Sequence, residues 1–192
     1  GLHYQDEAIE HFQSRVVKSF INKAIVGIDI PYYPQFRDIN EMFLEMIDGV
    51  EKAKHGYVES GIMSLKTERS YIPEVMVIKK FSQQISETLG RTFEFGICVT
   101  GPYTLSSFFV NRDVDIFLRL GDVISQIVEN SLFDGKYGRV SLVTVDEPLF
   151  GLLDDSLLDY GSQGRENLGK AWELILSRAC SKSLQTCLHL HS

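Results

Sequence analysis

Cysteine is scarce: Cys98, Cys180 and Cys187 are the only three in 192 residues. An odd, small number in a chain this long is not a disulfide framework, and the expected compartment is a reducing cytoplasm. Apolar runs are short. None approaches the roughly 20 residues that a bilayer-spanning helix needs, and no charged segment followed by an apolar one at Gly1 marks a signal peptide. Basic clusters are missing too. With a formal net charge of −7 the chain repels phosphate backbones, so neither a nucleic acid nor a membrane is an expected partner. GxGxxG is absent from the first strand-to-helix junction and GxxxxGK[ST] from the whole chain, which argues against a nucleotide-binding open sheet.

What is present is an ordinary globular composition, 44% hydrophobic and 23% charged, with helix-like and strand-like segments in alternation. Ile9, Phe12, Val16, Val17 and Phe20 predict a helix over residues 6–22. Residues 24–30 (AIVGIDI) form a short β-branched run, as in a strand buried on both faces. Met42, Phe43, Met46, Ile47 and Val50 predict a second helix over 39–53, and 55–70 reads as loop. Then follow a strand at 73–78, a helix at 80–89 stopped by Gly90, and a strand at 93–100 (FEFGICVT). A helix at 113–132 with acidic residues in its first turn, a strand at 139–145, a helix at 161–180 and a strand at 184–190 complete the series. Such alternation implies parallel βαβ units in a single domain over 1–192, arranged as an open sheet or a barrel.

Polar groups collect at the carboxyl ends of the strands, where chemistry gathers in parallel α/β folds. Residues 31–38 (PYYPQFRD) follow the first strand, and Gly101-Pro102-Tyr103-Thr104 follow the strand ending at Thr100. Asp146-Glu147-Pro148 follow the strand ending at Val145, and the last strand carries His189 and His191. Each also has a plain structural reading: Gly-Pro as a turn, Asp-Glu-Pro as a helix start, Arg37-Asp38 as an ion pair or cap. His189 and His191, two apart, share a strand face and are candidate zinc ligands, or else a satisfied histidine pair. Cys187 shares that face in a regular strand but reads as a buried structural thiol. Asp154, Asp155 and Asp159 read as a solvated acidic loop, Gly161, Gly164 and Gly169 as too loosely spaced for a phosphate cradle, and Trp172 as packing with Leu168 and Leu176.

Four segments, in order, resemble the catalytic domain of cobalamin-independent methionine synthase. VTGPYTLSSFFVNRD (99–113) resembles that family's TGPVT segment, and VTVDEPLF (143–150) its IDEPAL segment. LQTCLHLHS (184–192) resembles QIHTHxCYS, which carries two zinc ligands. GIDIPYYPQFRDINEMF (27–43) resembles the segment around strand two. The likeness spans most of residues 24–192 and implies a (β/α)8 TIM barrel of the superfamily shared with uroporphyrinogen decarboxylase, the chain being a divergent core-type paralogue. A full barrel needs about 250 residues. By the resemblance the first strand would precede Gly1 and the last strands and ligands would follow Ser192, so an incomplete barrel of about five strands is expected. Its open edges favour a dimer or swapped assembly.

The resemblance also implies an activity: zinc-dependent transfer of a methyl group from a folate or a corrinoid protein to a thiol such as homocysteine, in methionine biosynthesis. Asp146 would bind the substrate amino group with Glu147 beside it, and His189 would be the first zinc ligand. At three places the chain departs from the family. His191 stands as the second metal ligand where the family has a cysteine, Gln35 stands at a substrate-binding position where strand two has a glutamate, and Ser107, Phe108 and Phe109 stand where a tryptophan lines the folate site. These departures keep a second reading open, a non-catalytic barrel paralogue that binds a small ligand or partner protein. A third is an unrelated α/β enzyme using Asp146 and Glu147 in acid–base work.

Overall fold

The computed structural model describes residues 2–152 and 154–191, with side chains from residue 6 onward. Ser192, the end of the LQTCLHLHS segment, lies outside the described residues. Helix α1 (Leu2–Ile25) buries Val16, Val17 and Phe20 of the expected stripe together with Ala24, while Phe12 is half-buried and Ile9 exposed. It runs straight through the start of the expected strand 24–30, which does not form. Gly27 there adopts φ +94°, a left-handed conformation incompatible with extended chain, and Pro31 and Pro34 follow. What remains is a single parallel bridge between Tyr32 and Gly96.

The expected helix 39–53 splits in two. Helix α2 (Ile39–Leu44) is capped by Asp38, whose Oδ1 accepts from Asn40 N at 2.9 Å and Glu41 N at 3.0 Å. Strand β1 (Ile47–Ala53) then pairs antiparallel with β2 (Gly56–Leu65), so a hairpin replaces both the end of that helix and the expected loop. Gly49 explains the switch. Its φ is +74°, and a Cβ there would lie 2.4 Å from the Ile62 carbonyl oxygen, which suits a bulge and opposes a helix.

The expected strand 73–78 is helix α3 (Pro73–Lys80), with proline in its first turn and Glu74 at its positive end. Helix α4 (Ser82–Leu89) follows and ends on left-handed Gly90 as predicted. From there the expected order holds: β3 (Phe93–Thr100), a short α5 (Pro102–Ser106), α6 (Ile116–Ser131), β4 (Gly138–Glu147), α7 (Gln163–Cys180) and β5 (Gln185–Leu190). Helix α6 starts at Ile116, past both acidic residues expected in its first turn.

The barrel expectation is therefore corrected. Two strands form an antiparallel sheet and three form a parallel sheet of order β3-β4-β5; no eight-stranded barrel exists among the described residues. The physical reason is that two of the five expected parallel strands, 24–30 and 73–78, are consumed by helix and turn.

The parallel sheet positions the site. Its pairing skips one residue, Ser141, between Phe95↔Val140 and Gly96↔Leu142. Phe95, Ile97 and Val99 of β3 and Val143, Val145 and Glu147 of β4 face the helices and are all fully buried. Cys98 and Thr100, Thr144 and Asp146, Cys187 and His189 alternate onto the opposite face. Helices α6 and α7 approach so closely that a Cβ on Gly121 would lie 2.7 Å from that of Ala171.

Candidate functional site

Parallel register places Asp146 between Thr100 on β3 and His189 on β5, and Thr144 between Cys98 and Cys187 one row below. His189 Nδ1 lies 2.7 Å from Asp146 Oδ1, and His191 Nε2 lies 3.2 Å from the same oxygen. The imidazole rings sit 4.3 Å apart between centroids at 53°. One donor atom from each of the three side chains lies within 4.8 Å of the others, a geometry that can hold a metal ion. Asp146 is 30% exposed, His189 55% and His191 45%, so the group is open to solvent.

Glu147, one residue on, points the other way. Its side chain is buried and accepts from Tyr103 N at 3.0 Å, Thr104 N at 2.7 Å and Trp172 Nε1 at 2.8 Å. Burial pushes this carboxyl above its usual range, against the pull of the N–H donors. Gly101 makes room for it: a Cβ there would stand 2.2 Å from the carboxylate. Asp146 and Glu147, neighbours in sequence, thus serve different surroundings.

Gln35 is exposed and lines a shallow recess with Tyr33, Phe36, Arg37 and Glu74, apart from the Asp146 cluster. Arg37 bonds the buried Glu74 at 3.2 and 3.3 Å, while Asp38 caps α2. Asp155 is not simply solvated; Arg112 Nη1 pairs with its largely buried carboxylate at 2.8 Å. Trp172 packs as expected, edge-on to Phe150 at 5.4 Å, and also anchors Glu147. Ser107 and Phe108 follow α5 in a turn, and Phe109 bridges to Tyr57 of the hairpin. Cys187 is exposed rather than buried.

Tyr32 is the residue that sequence reasoning passed over. The bridge to Gly96 delivers it to the sheet face, where its hydroxyl lies 2.6 Å from Thr144 Oγ1. A Cβ at Gly96 would meet the Tyr32 ring at 2.7 Å, so that glycine is the one available signal of the contact.

No protein-family model matches the chain, and no curated protein matches it either. Among the described residues no helix is long and apolar enough to cross a membrane.

Proposed function

We propose that Asp146, His189 and His191 hold a divalent metal, zinc by preference, and that the chain transfers a methyl group from a folate or corrinoid donor to a thiol such as homocysteine. The observation that carries this reading is the meeting of one carboxylate with two imidazoles, His189 in register on the adjacent strand and His191 one residue past its end. Distances support the fit. Ligands about 2.0–2.1 Å from a tetrahedral zinc lie about 3.3 Å from one another. The Asp146–His191 pair already has that spacing at 3.2 Å, and the Asp146–His189 pair, at 2.7 Å, reaches it by a small side-chain rotation.

Two neutral imidazoles and one carboxylate leave a bound divalent ion with net positive charge, which favours an anionic further ligand. Zinc there would supply what a free thiol lacks at neutral pH, stabilisation of its nucleophilic thiolate. The chain's own residues orient and admit. Asp146 stands against one ring nitrogen of each imidazole, and its own backbone is tied to Gly101, whose N–H donates to Asp146 O at 2.8 Å. The exposed histidine edges leave a path for a substrate. Methyl transfer as the reaction rests on the sequence resemblance, and three free thiols suit a cytoplasmic setting.

Stoichiometric zinc in the purified protein, lost on His189→Ala and on Asp146→Ala while circular dichroism is unchanged, is the expected result. A folded protein that takes up no zinc overturns the reading. Methyl transfer from methylfolate and from a methyl-corrinoid to a panel of thiols then tests the reaction. The sealing of Glu147 favours a second reading, ligand or partner binding without turnover, because a buried, fully bonded carboxylate cannot reach a substrate. Zinc uptake without turnover for any donor–thiol pair would select it.

A further inference from the structure

Below the Asp146 cluster lies a second row with no assigned role. Cys98, Thr144 and Cys187 stand side by side on three strands, and Tyr32 reaches in from beyond β3 to the middle member. Tyr32 is held in place from several sides. Gly96 N donates to Pro31 O at 3.1 Å, Tyr33 N donates to Gly96 O at 3.3 Å, and Lys23 Nζ donates to Tyr32 O at 3.3 Å. Its ring covers Gly96, the only residue type that leaves room for it.

Two hydroxyls sharing one hydrogen bond retain one O–H donor between them. Neither Tyr32 nor Thr144 has another side-chain partner among the described residues, although Thr144 is only 4% exposed. Tyr32 is half-buried, so the leftover donor can lie at its open edge, where water or a ligand can accept from it. The surroundings point the same way: burial raises the Tyr32 phenol above its ordinary value, the Thr144 bond pulls it back, and Cys98, Cys187 and Asp146 lie near enough to raise it further.

We propose that the Tyr32–Thr144 hydroxyl pair is the recognition floor of a small-molecule pocket on this sheet face, donating its free proton to an acceptor oxygen at one end of a short ligand whose other end meets Asp146, His189 and His191. The proposal rests on the metal-thiol reading above and narrows its substrate class. One row is two residues, about 6.6 Å along a strand. A ligand spanning it has about three carbons between a thiol and a carboxylate or hydroxyl oxygen. Cys98 and Cys187 supply polarisable walls on either side.

The test uses 3-mercaptopropionate and 1-propanethiol, matched in length and differing in the acceptor oxygen. On zinc-loaded protein, the carboxylate ligand binds about tenfold more tightly than the alkyl thiol, a typical effect for one such hydrogen bond. Tyr32→Phe, which keeps the ring over Gly96, abolishes that preference and leaves propanethiol affinity unchanged; Thr144→Val does the same. Equal affinities in the wild-type protein, or a preference that survives both substitutions, overturns the floor. Failure of the metal reading is seen separately, as absence of zinc uptake. Amide shifts in the metal-free protein then decide: shifts at Thr144 and Cys98 on adding 3-mercaptopropionate, lost in Tyr32→Phe, uphold the floor, and their absence removes it.

Discussion

Cys98 and Cys187 flank Thr144 at the same level of the sheet, yet their thiols differ in kind. Burial pushes the Cys98 thiol up to about 12, with Asp146 and Cys187 adding to the effect. Cys187 and Cys180 are exposed. Only a thiolate attacks a disulfide reagent, so the half-buried Cys98 is protected by its protonation. At about pH 8, titration of the native protein with an aromatic disulfide reagent consumes the two exposed thiols promptly and the third far more slowly. Three equally fast thiols would contradict the placement of Cys98. At this scale the pairing of His189 and His191 was legible from their two-residue spacing, although His191 lies one residue past the end of β5. The role of Tyr32 was not legible, because Thr144 lies 112 residues away and nothing in the sequence links the two.

Among the α-helices, the shortest has the most consequence for the site. Helix α5 spans five residues, and its first N–H groups are satisfied by Glu147. Because burial raises the folded-state value of Glu147 above the ordinary 4.5, its contribution to stability is fully present below about pH 4.5 and is lost as pH rises through the raised value. Glu147→Gln does not titrate. Urea midpoints from pH 4 to 8 should therefore fall more steeply for the wild-type protein than for the variant, over roughly that range; parallel curves would mean that Glu147 ionises as in the unfolded chain. The elements also show where periodicity failed. The strand 93–100 was read correctly because its aromatic and β-branched residues favour a strand and Gly96 in its middle disfavours a helix. The run at 73–78 has one, and Pro73 at a first helical turn, with Glu74 behind it, was the deciding mark. Across 39–53 the apolar spacing continues unbroken into β1, so only Gly49 betrays the change from helix to hairpin.

For the whole molecule, the three-stranded sheet ends on β5, and five of its six residues are exposed. Among the described residues no strand pairs with its far side, which leaves a row of backbone donors and acceptors available to another chain. Leu190, 37% exposed, adds an apolar contact beside that row. Self-association through β5 is the expected outcome. Sedimentation velocity should show a dimer at about 50 μM that Leu190→Lys shifts toward monomer, since a charge on an edge strand opposes pairing. A monodisperse wild-type monomer would count against it.

The skipped residue in β4 has a final consequence, best put as parity. Strand residues are sorted to one side or the other by odd and even position, and Ser141 changes the count once. Val140 lies on the helix side with Phe95, so uninterrupted alternation would send residues 142, 144 and 146 there as well. Asp146 would then be sealed among the helices, and Glu147 would stand beside the histidines. One uncounted serine decides which of two adjacent acids stands beside the histidines and which is the anchor.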